Sequence, residues 1–152
     1  MPRVISNVVD TYVFRKSSVG AQFLVLRKRG DDPAGDLWQS IHSHVASGET
    51  AIGAARRDLL ERTGLTPARL FTADYIGQFY DHVGDTIVLA PTLAALVDSS
   101  ARVTLSADFV DYAWCDLEET TSRLLWTTHR WAVRHIYDVI VSGDAEAELY
   151  AI

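Results

Sequence analysis

The sequence predicts an α/β domain in which helices pack on a β-sheet. Runs of β-branched and aromatic residues predict strands along most of the chain, and two stretches with apolar residues at helical spacing predict helices among them. Strands that alternate with helices form layered α/β folds. Of the 152 residues, 48% are hydrophobic. A chain of this length and composition can bury one sizeable core, so a single domain over residues 1–152 is expected.

The N-terminal part predicts a pair of strands followed by a loop. Residues Val4 to Phe14 are rich in β-branched and aromatic side chains, and Phe23 to Leu26 has the same character after the turn-like run Ser17 to Gly20. The polar run Lys28 to Asp36 contains glycines and a proline. It therefore predicts a loop that leads to a short strand at Trp38.

The segment from Ser43 to Leu65 predicts a helix with one charged face. Thr50 is the predicted N-cap, and Gly64 followed by Pro67 is the predicted end. The apolar stripe of this helix consists of Ile52, Ala55 and Leu59. The opposite, solvent-facing side is predicted to carry Arg57, Asp58, Glu61 and Arg62.

Strands are expected again after this helix. Leu70 to Tyr80 and Thr86 to Val97 have strand character and are separated by a turn at Asp81 to Asp85. Pro91 lies inside the second strand and predicts an edge or bulged position. A short strand is expected at Tyr112 to Cys115.

The C-terminal part predicts one long amphipathic helix. It runs from Glu118 to about Val141, with apolar residues at helical spacing. The order of elements is therefore strands, helix, strands, helix.

Charge and cysteine content exclude several classes of protein. The net charge of −6 does not favour binding to a nucleic-acid polymer or an anionic membrane, since either calls for a basic surface. Cys115 is the only cysteine, so an intrachain disulfide is impossible, and a buried thiol in a reducing compartment is favoured. The sequence shows no apolar run of signal-peptide or membrane-span length. A cytoplasmic protein is therefore expected.

The segment from Ser43 to Leu65 resembles the Nudix box, the signature of hydrolases that cut nucleoside diphosphates linked to another group. The box reads Gly, five residues, Glu, seven residues, Arg-Glu, an aliphatic residue, any residue, Glu-Glu, any residue, Gly, aliphatic. The matching positions are Glu49, Arg57, Leu59, Glu61, Gly64 and Leu65. The differing positions are Ser43 in place of Gly, Asp58 in place of the first helix Glu, and Arg62 in place of the last.

The resemblance covers nearly the whole chain and implies a Nudix-type α/β/α sandwich with a mixed β-sheet. Outside the box, three features look like the branch that contains dihydroneopterin triphosphate and dATP pyrophosphohydrolases. These features are Trp38-Gln39-Ser40, the run Arg29 to Asp32, and Asp108 six residues before Trp114. The resemblance implies metal-dependent hydrolysis of a pyrophosphate bond in a nucleoside triphosphate or nucleotide-like substrate. Whether the protein forms a homodimer is left open by the resemblance.

Roles for the box residues also follow from the resemblance. In this family the box glutamates bind Mg²⁺ or Mn²⁺, which acts as a Lewis acid and activates the attacking water. By position, Asp58 and Glu61 are the expected catalytic residues and metal ligands, with Glu61 as the expected base. Asp108 is the expected later acidic ligand. Glu49 and Arg57 are expected to pair and to brace the loop against the helix.

A second interpretation of the box stays open. Asp58 and Arg62 have the i, i+4 spacing of a helix ion pair, which would divert Asp58 from metal. The family's three helix glutamates carry −3, whereas Asp58, Glu61 and Arg62 sum to −1, which weakens cation binding. The alternative function is therefore a catalytically impaired Nudix-fold module that binds a nucleotide or serves a regulatory partner.

The remaining candidates are histidines and aromatic residues. In an extended segment His42 and His44 point to the same face, where they and Arg62 could contact phosphate or metal. The simpler interpretation is a pair of ordinary polar residues beside a strand. The aromatic residues that could stack on a flat base or pterin, although such side chains are more often core, are Trp38, Phe79, Tyr80 and Trp126.

Overall fold

The computed structural model describes residues 1–30 and 37–152. Within these residues, eight strands form one sheet. The strands are β1 (Arg3–Ile5), β2 (Val8–Ser17), β3 (Gly20–Lys28), β4 (Trp38–Gln39), β5 (Ile41–His44), β6 (Arg69–Asp81), β7 (Thr86–Leu96) and β8 (Phe109–Cys115). The helices are α1 (Ala51–Thr63), α2 (Leu117–Arg123) and α3 (Thr127–Ile136), followed by a π-helical turn (Tyr137–Val141) and a 3-10 helix (Asp144–Tyr150).

The sheet is mixed, as expected. Strands β1 and β2 both run parallel to β7, whereas β6 is antiparallel to β7. On the other side of β2, strands β3 and β5 are antiparallel to it, and β4 and β8 are antiparallel to β3. Strand β2 therefore lies at the centre, where it joins the two halves of the sheet.

Helices cover both faces of the sheet, which confirms the α/β/α sandwich. Alternate residues of β2 point to opposite faces, because successive side chains of a strand do so. Val9 and Val13 pack with Leu59 of α1, whereas Tyr12 and Phe14 join the cluster that contains α3 residues. The face that carries Tyr12 also carries the buried carboxylate of Asp10.

Helix α1 begins and ends where the sequence predicts. The Thr50 side chain accepts a hydrogen bond from the backbone N–H of Gly53 at 3.0 Å. Gly64 adopts a left-handed conformation, with φ 70°, and donates to the carbonyl of Leu60 at 2.8 Å. One prediction about this helix is wrong: Asp58 is 3% exposed and does not lie on the solvent face. Arginines on both sides of its carboxylate permit that burial.

Two element predictions also need correction. The predicted strand from Val4 to Phe14 is divided between β1 and β2. The predicted long C-terminal helix is interrupted between α2 and α3, because Leu124 is extended, buried in the core and bridged to Trp38. Residues 31–36 of the predicted loop, including part of the run Arg29 to Asp32, lie outside the described residues.

Other predictions of secondary structure are confirmed. Pro91 pairs with Ile76 at the end of a register shift in β6, in agreement with a bulged position. Strands β6 and β7 are joined at the predicted turn. None of the helices found in residues 1–30 and 37–152 is both long enough and apolar enough to cross a membrane.

Replacing Gly64 by alanine is expected to lower the free energy of unfolding by about 1 kcal/mol, because a Cβ is disfavoured at a left-handed helix end. Urea unfolding followed by circular dichroism measures the loss. Gly64→Asn is the matched control and should cost less, since asparagine tolerates this conformation. Equal losses in both variants would assign the effect to crowding against Thr104, whose Cβ would lie 3.4 Å from the new carbon.

Candidate functional site

A cleft of about 920 Å³ opens on the face of the sheet that α3 covers. It is bordered by β4, β5, β6, the end of α1, the loop before β8 and the start of α3. Its ionisable and aromatic lining residues are Lys28, Arg29, Trp38, His42, His44, Arg62, Phe79, Tyr80, Asp108, Phe109, Trp126 and His129. The cleft therefore unites residues from distant parts of the chain.

Among residues 1–30 and 37–152, the charged side chains that line the cleft are mostly cationic. The chain carries −6, whereas these lining residues are Lys28, Arg29 and Arg62 with one carboxylate, Asp108. A concave site of one charge sign concentrates ligands of the other sign. This lining favours an anionic ligand.

Three aromatic residues of the cleft lie outside the core. The side chains of Phe79, Tyr80 and Trp126 are about half exposed, so their rings are available to a planar group. The core interpretation is therefore wrong for these three. Trp38 differs, because the guanidinium group of Arg123 lies 4.4 Å from the centre of its ring and covers part of it.

The box residues Glu49 and Arg57 form a two-point contact. The Arg57 Nε donates to Glu49 Oε1 at 2.8 Å, and Nη2 donates to Oε2 at 3.0 Å. Nη2 also donates to the carbonyl of His44 at 2.9 Å, and Glu49 accepts from the backbone N–H of Ala46 at 3.0 Å. These contacts tie the loop after β5 to helix α1. The hydrogen bonds from Arg57 and then Ala46 lower the pKa of Glu49 to about 2.

Both oxygens of the Asp58 carboxylate are occupied by arginines. Oδ1 accepts from Nη1 of Arg57 at 2.5 Å, and Oδ2 lies 3.2 Å from Nη2 of Arg62. The i, i+4 pair that the sequence suggested is therefore present. Glu61 differs, because its side chain is 64% exposed. Its Oε2 lies 3.9 Å from Nη1 of Arg57, a long distance for an ion pair. Asp58 is thus a buried structural anion in this arrangement, whereas Glu61 is open to solvent.

The box acids do not form a metal centre in this arrangement. Residues 1–30 and 37–152 contain no group of three or more histidine, cysteine or acidic side chains that could hold a metal ion. A magnesium-type ion needs several oxygen ligands, and those of Asp58 hold arginines instead. The cleft lining includes Asp108 but neither Asp58 nor Glu61. The donor set therefore does not fit the Mg²⁺ or Mn²⁺ that the box implies.

The cleft also contains a cluster that the sequence analysis missed. Nδ1 of His42 lies 2.5 Å from Oδ1 of Asp10, and Nε2 of His129 lies 3.8 Å from Oδ2 of the same carboxylate. Burial lowers the pKa of His129, with His42 adding to the effect and Asp10 opposing it. One sequence signal points to it: Asp10 is the lone acid in the predicted strand from Val4 to Phe14.

Comparison with known proteins agrees with the fold and the box. Residues 7–138 match the family model of the NUDIX domain. The chain therefore belongs to the Nudix family, the hydrolase family that the box predicted. No curated protein was found that matches the chain.

Solved structures share the fold at low sequence identity. A C. elegans Ap4A hydrolase is 19% identical with a TM-score of 0.74, covering 91% of this chain and 98% of that one. The E. coli dihydroneopterin triphosphate pyrophosphohydrolase is 21% identical with a TM-score of 0.71, covering 89% and 94%. The NUDIX domain of Shewanella oneidensis NrtR, complexed with ADP ribose, is 17% identical with a TM-score of 0.70, covering 91% and 88%.

The pairing of Glu49 with Arg57 predicts a specific acid sensitivity. A carboxyl group whose pKa falls from 4.5 to about 2 on folding contributes stability that is complete above its unfolded pKa. That contribution is lost as the pH falls through this window. The variant Glu49→Gln has no such carboxylate, so its free energy of unfolding should be lower than wild type at neutral pH and fall less on acidification.

Urea unfolding at pH 6, 4 and 3 measures this difference. Glu118→Gln, which removes an exposed acid on α2, is the control and should keep the pH dependence of the wild type. The same pH dependence in Glu49→Gln and wild type would contradict the role of the pair.

Proposed function

We propose that the protein hydrolyses a phosphoanhydride bond of a nucleotide-like substrate bound in the cleft. The cleft itself carries this proposal: in a Nudix-family chain it combines cationic side chains with exposed aromatic rings. Its volume, about 920 Å³, is in the range of small-molecule sites. The family supports the reaction class, and the lining supports the substrate class.

Each part of the substrate has a proposed set of contacts. Lys28, Arg29 and Arg62 supply the positive charge that a chain of phosphates needs. The rings of Phe79 and Tyr80 supply a stacking surface for a purine or pterin. Phosphate groups and the planar group would then lie in the same cleft.

In this proposal, the metal ion binds together with the substrate. Because the box acids do not form a metal centre, we propose that Mg²⁺ or Mn²⁺ enters as the counter-ion of the polyphosphate. Asp108 is exposed and lines the cleft, so it is the acid that could contact such an ion. Glu61 keeps the candidate role of base on its box position alone.

The location of the protein is part of the same proposal. Cys115 is a free, buried thiol, and burial raises its pKa to about 11. Such a thiol stays protonated and unreactive at neutral pH. We propose a reducing, cytoplasmic compartment and a small-molecule substrate as the ligand.

A second candidate function is nucleotide binding without turnover. The observation in its favour is Asp58, whose carboxylate is held by Arg57 and Arg62. A module of this kind would use the same cleft for recognition. The two functions differ in whether bound substrate is cleaved.

Release of phosphate and pyrophosphate over a substrate panel separates the two functions. The panel contains nucleoside triphosphates, Ap4A, dihydroneopterin triphosphate and ADP ribose, each with Mg²⁺, with Mn²⁺ and with a chelator. Calorimetry with non-hydrolysable analogues measures binding. Turnover of at least one compound supports the hydrolase, whereas binding without turnover on the whole panel supports the binding module.

Replacing Arg62 by glutamate tests whether the box face can hold metal. Arg62→Glu removes the cation on Asp58 Oδ2 and changes a neighbouring charge from positive to negative, so Mn²⁺ affinity should rise roughly tenfold or more. Arg62→Gln is the control and should have a smaller effect. Calorimetry with Mn²⁺ measures the affinity, and an unchanged value would show that this face is not a metal site.

Removing the ring of Phe79 is expected to weaken substrate binding. Stacking of a base on an aromatic side chain is worth roughly 1–3 kcal/mol, so Phe79→Ala should raise KM about tenfold with little change in kcat. Val83→Ala, at the exposed β6–β7 turn, is the control. Unchanged KM for every cleaved substrate would remove Phe79 from the binding site.

A further inference from the structure

A buried carboxylate beside the cleft is shared by two histidines. Asp10 is 3% exposed, and both His42 and His129 line the cleft. The distance from His42 Nδ1 to Asp10 Oδ1 is 2.5 Å, and that from His129 Nε2 to Asp10 Oδ2 is 3.8 Å. A carboxylate removed from water needs such partners, since an isolated buried charge is strongly unfavourable.

The sheet holds the two main members of this cluster in place. Asp10 of β2 is directly paired with His42 of β5 in the antiparallel register. Paired residues of neighbouring strands project their side chains on the same face. On its other side Asp10 is paired with Thr92 of β7, so its strand lies inside the sheet. Groups fixed on strands keep their geometry better than groups on loops.

The hydrogen bond to Asp10 decides which nitrogen of His42 faces the cleft. A carboxylate accepts, so Nδ1 of His42 carries the proton and donates to Asp10. In the neutral ring, Nε2 is then the unprotonated nitrogen. It lies on the ring edge that points away from Asp10, and the side chain is 36% exposed in the cleft wall.

The other titratable groups near His42 are two histidines and a tyrosine. His44 is two residues after His42 on β5, with the ring centres 6.1 Å apart. His129 of α3 approaches the other oxygen of Asp10. Burial lowers the pKa of His129, which disfavours the charged form of that ring. Tyr12 follows on the same face of β2 as a buried phenol, and burial and Asp10 raise its pKa. Among the described residues, Asp10 is the acidic side chain in contact with His42.

We propose that His42 is the catalytic base of the hydrolysis and that Asp10 is the positioning residue behind it. This inference rests on the proposed function and names a catalytic group for it. The oxygen of a water molecule forms a bond to phosphorus, and the bond from phosphorus to the bridging oxygen breaks. The electron pair of that bond leaves on the bridging oxygen. The water's proton passes to Nε2 of His42 and then to solvent or to the leaving phosphate.

Asp10 has two roles in this step. It fixes the tautomer that leaves Nε2 free, and it stabilises the imidazolium that forms when the proton arrives. The box position instead suggests Glu61 as the base. Glu61 does not line the cleft, whereas His42 does. The reaction centre is thereby placed on the α3 side of the sheet.

The test compares steady-state kinetics of single variants on the substrate that the wild-type protein cleaves. Loss of a base costs about 10²–10⁴ in rate, so His42→Gln and His42→Ala should lose at least about 100-fold in kcat with KM within threefold. Asp10→Asn should lose about 10–100-fold in kcat. Added imidazole should restore part of the activity of His42→Ala.

One control variant and one competing variant accompany these measurements. The control, His82→Gln, replaces an exposed histidine at the β6–β7 turn and should keep wild-type kcat. The competing variant, Glu61→Gln, removes the candidate base of the box, and the proposal expects a smaller loss of kcat in it than in His42→Gln. Unfolding midpoints and binding of a non-hydrolysable analogue check that each variant is folded, and His42→Gln and Asp10→Asn are the conservative changes if His42→Ala does not fold.

Three results from the folded variants would overturn the proposal. Wild-type kcat in folded His42→Gln would show that His42 takes no proton. A rise in KM at unchanged kcat would make His42 a phosphate contact. A loss of at least 100-fold in Glu61→Gln, with His42→Gln near wild type, would return the base to the box. If the wild-type protein cleaves no substrate, the proposed function fails and the role of His42 fails with it. If the wild-type protein cleaves a substrate but the His42 variants behave as above, the role of His42 alone fails.

Discussion

The contacts of Arg57 organise the junction between β5 and α1, on which both the helix and the cleft depend. One guanidinium group binds the Glu49 carboxylate, the Asp58 carboxylate and the carbonyl of His44. Planar, charge-assisted contacts of this kind are strong and directional. They fix the loop between strand and helix, and they also fix the end of the strand that carries His42. A substitution that removes these contacts would displace the wall of the cleft as well as the box helix.

The same contacts explain why the box is better described as a scaffold than as a metal centre. The Asp58 carboxylate is 3% exposed and each of its oxygens contacts an arginine, Arg57 or Arg62, so a cation there would compete with two guanidinium groups. The family's chemistry would need those oxygens to be free. The positive charge that Arg62 adds is instead presented to the cleft, where it suits phosphate.

Much of the fold was predictable because its signals are local. Thr50 caps α1 and Gly64 ends it for reasons contained within one turn of helix. Pro91 marked an irregular strand position because it lacks a backbone donor. The break between α2 and α3 was not predictable in this way, since Leu124 is held extended by contact with a strand far along the chain. Burial of Asp58 was likewise decided by partners and not by helical spacing.

The sequence alone determined the family, the two ends of α1 and the pairing of Glu49 with Arg57, because each follows from residues close together in the chain. The tertiary structure decided which side chains meet in the cleft. Asp10 and His42 are 32 residues apart, and strand register makes them neighbours. His129 joins them from α3 at the opposite end of the chain. Strand register and helix packing are long-range properties, so no local pattern could place this carboxylate between two imidazoles.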